Sequence, residues 1–122
     1  MKLHLAQAAG RNVFTGYGAG YVAINGERHE RHLLVTAERI ARWNIGGFEA
    51  LAVAQAAEFM ALAPEIVLLG TGARLRFPPP ELARALSEAG IGLEAMDSTA
   101  ACRTYNILAA EGRRVLAAIL IP

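Results

Sequence analysis

The chain has 122 residues and a formal net charge of +1, with 54% hydrophobic and 19% charged residues. That is one domain of ordinary size, too apolar to be disordered and without the charge excess that would recruit nucleic acid or a membrane surface. A single cysteine, Cys102, permits no internal disulfide and no Cys/His metal framework.

Eleven arginines stand against one lysine, Lys2, and ten glutamates against one aspartate, Asp97. Twenty-five residues are alanine. This inventory reads as the codon bias of a GC-rich genome, so arginine counts by themselves say little about chemistry. No apolar run reaches the roughly 20 residues needed to span a bilayer. Met1–Leu5 opens no signal-peptide core, and a lone thiol suits a reducing compartment, so a cytoplasmic location is expected.

In chain order, Leu3 and Leu5 alternate with polar neighbours and predict a strand over 2–7. Residues 16–20, Gly-Tyr-Gly-Ala-Gly, suit a loop or bulge. Tyr21–Ile24 and Glu27–Val35 flank Asn25-Gly26, the signature of a β-hairpin with a type I′ turn. On the return strand His29, Arg31, Leu33 and Val35 share one face, and Glu30, His32 and Leu34 the other. The hairpin is expected to project from the core as a surface for a protein partner or a homodimer, its charges guarding the edge. Thr36 is placed to cap a short turn at 37–41, and Trp43, Ile45 and Phe48 to pack irregularly over the core.

A helix is expected over 53–62, burying Val53, Ala56, Ala57 and Met60 with Phe59 beside them, and ending at Ala63-Pro64. Ile66–Leu69 is a buried strand followed by the tight loop Gly70-Thr71-Gly72. Pro78–Pro80 opens a helix that runs to Ala89, buries Leu82, Ala85, Leu86 and Ala89, and stops at Gly90. Ile91–Met96 is a second buried strand, and Asp97-Ser98-Thr99 supplies caps for a helix over 100–111. Val115–Ile121, apolar throughout, is a central strand. Right-handed crossovers make this β-α-β-α-β half parallel.

Little of the sequence points to chemistry. Gly70-Thr71-Gly72 lacks the third glycine of a dinucleotide fingerprint, and Lys2 cannot serve as a phosphate-loop lysine. His29-Glu30-Arg31-His32 is one residue short of a zincin motif and lies on a strand. Cys102, among alanines one turn into a helix, reads as a buried structural thiol. A parallel sheet does bring its strand C-termini and the following helix N-termini to one rim, where anions bind. Thr71, Gly72, Ser98, Thr99, Arg103 and Asn106 are the candidate residues of such a cleft, with Thr99, Arg103 and Asn106 on one helix face.

Four ordered segments carry a resemblance. They are Leu68-Leu69-Gly70-Thr71-Gly72, Gly90 through Ser98, Ala100-Ala101-Cys102-Arg103-Thr104-Tyr105-Asn106-Ile107-Leu108, and Glu111-Gly112-Arg113-Arg114-Val115. Together they resemble the small α/β domain of mitochondrial complex I (NADH:ubiquinone oxidoreductase) assembly factor 3 and of the adipogenesis-associated Mth-domain protein. Many uncharacterised bacterial and archaeal proteins share it. The first half agrees, with its Gly-rich strand, its Asn25-Gly26 hairpin and Trp43 after it. The resemblance implies a three-layer α/β fold with an added β-hairpin and a role in binding or assembly without an established reaction. We therefore expect a single α/β domain over 1–122, acting as a non-enzymatic binding module for a protein partner. No cofactor, metal, nucleic acid or membrane is expected, and the alternative is a small-molecule or anion-binding protein, or a weak enzyme, that uses the rim.

Overall fold

The computed structural model describes residues 10–122, so the strand expected over 2–7 lies outside the described residues. Strands β1 (Phe14–Gly18), β2 (Tyr21–Ile24) and β3 (Glu27–His29) form an antiparallel meander. Strands β4 (Leu33–Val35), β5 (Ile40–Arg42), β6 (Ile66–Thr71), β7 (Gly92–Met96) and β8 (Val115–Leu120) form the larger sheet, in the order β5-β4-β8-β6-β7. β6 runs parallel to both β7 and β8, as the crossover rule requires, and β4 returns antiparallel to β8. The helices are α1 (Gln55–Met60), α2 (Pro80–Glu88) and α3 (Ser98–Ala110), with a short 3-10 turn at Phe48–Ala50.

β8 shows why a strand can be apolar throughout. Val115, Ala117 and Ile119 face α3 and the meander, packing with Phe14, Val22, Ile24, Cys102 and Tyr105. Leu116, Ala118 and Leu120 face the opposite way, onto Trp43, Phe59, Leu82 and Leu86. Both faces of the large sheet are therefore covered, and the α/β fold has three layers.

Local departures from the sequence reading have tertiary causes. Residues 27–35 do not form one strand. Leu33–Val35 are buried on both faces and join the large sheet, whereas Glu27–His29 stay with the meander as its charged edge. The hairpin does not project, because Val22 and Ile24 sit in the core against α3. Its turn is as expected, with positive φ at Asn25 and Gly26. Tyr17 and Gly18 belong to β1 rather than to a loop, with a register shift between Phe14 and Gly16. Residues 36–39 form the turn of a hairpin into β5, the Thr36 hydroxyl accepting from the Arg39 N–H. α1 turns Ala56 and Phe59 inward and leaves Val53, Ala57 and Met60 exposed, since so short a helix is oriented by its one large aromatic. β7 is an edge strand and only partly buried, and Ala89 lies exposed beyond α2.

The break at residues 30–32 gives His32 a structural task. Its Nδ1 accepts a hydrogen bond from the Ile121 N–H at 2.9 Å, which an imidazolium cannot do. Burial holds its pKa below the usual 6.5. The contribution to stability is therefore full above the unfolded-state pKa and is lost as pH falls through the lower folded-state value. Between pH 8 and 5 the thermal midpoint should hold near neutrality and decline below about pH 6.5. His32→Asn, whose side-chain oxygen can accept the same bond at every pH, should flatten that decline. An equal decline in the variant would remove His32 as its source.

Candidate functional site

The C-terminal ends of β6, β7 and β8 meet the first turn of α3, and the contact is tight because residue 70 is glycine. A Cβ there would lie 2.8 Å from Ser98 Oγ and 3.0 Å from both Ser98 Cα and Ile119 Cδ1. The Ser98 N–H donates to Gly72 O at 2.9 Å, and the Gly72 N–H donates to Ser98 Oγ at 2.8 Å. The Ser98 hydroxyl then donates to Leu120 O. Asp97 caps the helix by accepting from the Ala100 N–H at 2.9 Å.

The loop after β6 is closed in the same way. The Thr71 hydroxyl faces Arg74 O at 2.7 Å and Met96 O at 3.1 Å, and accepts from the Arg76 N–H at 3.1 Å. Arg76 reaches back to Thr71 O, pairs with Glu49 at 3.2 Å and lies 4.4 Å over the Phe48 ring. Gly72 adopts φ +97°, a conformation that strains any side chain.

The six residues expected at the rim thus divide. Thr71, Gly72 and Ser98 come together and are buried, with their polar groups engaged to one another and to the strand ends. Thr99, next on the helix, is partly buried. Arg103 and Asn106 point away from the rim to the meander. Arg103 Nε donates to the Tyr17 hydroxyl at 2.7 Å. Asn106 accepts from the Phe14 N–H at 2.9 Å and donates to Phe14 O at 2.8 Å. Cys102 is fully buried. Burial, reinforced by the Asp97 charge, pushes its thiol up to about 12, which leaves no thiolate at neutral pH. Among the described residues no group of three His, Cys, Asp or Glu side chains could hold a metal ion.

What the sequence reading passed over is the apolar content of the clamped loop. Leu75 is 47% exposed and Phe77 80% exposed. The signal was present in Arg74-Leu75-Arg76-Phe77-Pro78, where two large apolar residues sit in no periodic element that could bury them.

Residues 14–120 match a family model described as a protein of unknown function (DUF498/DUF598). The chain belongs to this family. A crystal structure of a Bordetella parapertussis protein is 40% identical with a TM-score of 0.87, covering 92% of this chain and 97% of that one. A Bordetella pertussis solution structure described as a Mth938-like domain is 34% identical with a TM-score of 0.77, covering 89% and 85%. The Bos taurus protein named NADH dehydrogenase [ubiquinone] 1 alpha subcomplex assembly factor 3 is 34% identical over 108 residues. That match covers 87% of this chain but 58% of the assembly factor, so this chain spans little more than half of that relative. The Mth-type resemblance and the α/β fold read from the sequence agree with these comparisons. No helix among the described residues is long and apolar enough to cross a membrane.

Proposed function

We propose that this family member is a non-enzymatic, assembly-type binding module that docks a partner protein through the Leu75–Phe77 loop. The observation that carries the reading is Phe77, 80% exposed on a loop held by the Thr71 hydrogen bonds. A flexible loop could fold such a side chain down, but this one keeps it presented to solvent. A loop backbone ordered in advance loses little conformational freedom on binding, and burying a phenyl group contributes about 1.5 to 3 kcal/mol. The partner expected is a protein with an apolar pocket for Phe77 and a carboxylate rim facing the exposed Arg74. A relative named as an assembly factor points the same way. A cytoplasmic site of action belongs to the same proposal. The anion-cleft alternative has no comparable support, because the donors of Gly72 and Ser98 are already engaged.

The test compares Phe77→Asp with Ile107→Asp, which adds a charge at an exposed apolar position on α3. Both variants should unfold within about 0.5 kcal/mol of the parent, as surface substitutions do. A protein captured saturably by the parent and by Ile107→Asp should be lost with Phe77→Asp. The purified partner should then bind Phe77→Asp at least about tenfold more weakly. Undiminished capture by Phe77→Asp would overturn the docking site. A parent dimer, seen by light scattering and dissolved by Phe77→Asp, would replace the foreign partner with a second copy.

A further inference from the structure

The opposite end of the large sheet holds a cavity of about 310 Å³. Arg11 reaches it from ahead of β1, Arg39 from the β4–β5 turn, and Arg113 and Arg114 from the entry to β8. Among the described residues Glu38 is the one carboxylate in its lining. We propose that this cavity binds a small polyanion bearing phosphate or carboxylate groups.

Three observations support it. First, the arginines converge from three separate segments, which a genome-wide surplus of arginine does not arrange. Second, their backbones are tied into one frame. The Asn12 N–H donates to Ala37 O and its side-chain amide donates to Thr36 O, both at 2.9 Å, which sets Arg11 beside the turn. The Thr36 N–H donates to Arg39 O at 2.9 Å and fixes the turn itself. Third, the guanidiniums are under-used. Arg113 gives its Nε to Glu65 at 3.0 Å, and Arg114 gives its Nε to Ala63 O at 3.4 Å, so among the described residues the terminal nitrogens of both are left for a ligand. Among the described residues Arg11 and Arg39 make no side-chain hydrogen bond or ion pair.

The end of α3 opposes this site, since Ala109 and Gly112 line it and a helix C-terminus is the negative end of the dipole. Arg113 and Arg114 offset that charge from the same side. Arg11 and Arg39 come from separate segments, ahead of β1 and in the β4–β5 turn, and remain for the ligand. Guanidinium forks match paired oxyanions, and the volume lies at the lower end of small-ligand pockets, about 300 to 1,000 Å³.

Amide shifts would be followed during titration with pyrophosphate and with citrate, against chloride at matched ionic strength. Saturable shifts are expected at residues 11, 36–39 and 112–115. Affinity should fall about tenfold in Arg39→Gln and in Arg11→Gln. It should hold in Arg84→Gln, an exposed arginine on α2. Saturation by pyrophosphate alone assigns a phosphate ligand, and saturation by citrate alone assigns a carboxylate ligand. Shifts that merely follow ionic strength, or that persist undiminished in Arg39→Gln, would overturn the proposal. The docking loop lies at the other end of the strands, so either result leaves the Phe77 reading to its own test.

Discussion

Ser98→Ala is expected to cost about 2 to 4 kcal/mol in urea unfolding, a large effect for the removal of one oxygen. The hydroxyl accepts from the Gly72 N–H and donates to Leu120 O in a fully buried position. Alanine keeps the helix and the packing but leaves one donor and one acceptor without partners, at about 1 to 3 kcal/mol each. Gly70→Ala attacks the same contact from the strand. Its new methyl would stand 2.8 Å from Ser98 Oγ, closer than packing allows, at a cost of about 1 to 3 kcal/mol. The two changes should not add, because Ser98→Ala removes the atom that the methyl meets first. Ser98 Cα and Ile119 Cδ1, both at 3.0 Å, remain in the way. The double variant should therefore lie above the sum of the singles yet below either one. A loss under about 1 kcal/mol for Ser98→Ala would mean that water takes over its bonds.

That buried serine marks where sequence reasoning reached and where it stopped. The parallel half was legible because its signals are local: apolar runs at Ile66–Leu69 and Val115–Ile121, prolines opening α2, and Asp97 before α3. Each specifies an element, and the handedness of crossovers then leaves little choice of topology. Asn25-Gly26 was legible for the same reason, since the turn needs the positive φ that Asn and Gly tolerate. The rim was half legible. Topology brought Thr71, Gly72 and Ser98 to one edge, but spacing cannot say whether polar groups face a ligand or one another. Here they face one another. The common face of Thr99, Arg103 and Asn106 was sound helix geometry with an unseen neighbour, because nothing local announces that the meander folds back onto α3. The division of 27–35 between two sheets escaped for a related reason. A continuous run of strand-forming residues carries no mark of where its pairing partner changes.

The meander's attachment carries the second large effect. β1 pairs with β2 through one edge, the Asn25 N–H donating to Val13 O at 3.0 Å. At Phe14 the other edge would expose an unpaired N–H and C=O beside the core, and Asn106 serves both at 2.9 and 2.8 Å, as a neighbouring strand would. From the preceding residue of α3, the buried Tyr105 hydroxyl donates to Asn12 O at 3.0 Å, and its ring meets Phe14 edge-on with centroids 5.2 Å apart. Asn106→Ala should therefore cost about 1 to 3 kcal/mol. The loss should be regional: amides of β1 and β2 should exchange roughly tenfold faster or more, while those of β6 and β8 keep their protection. Tyr105→Phe should deepen the same regional loss by removing the second tie while sparing the aromatic contact. Phe14, Val22 and Ile24 lie on the same core face as Cys102, so opening the meander should also expose this otherwise buried thiol to labelling. If protection falls equally in both sheets, Asn106 is a strut of the whole fold, and the meander opens only when everything does.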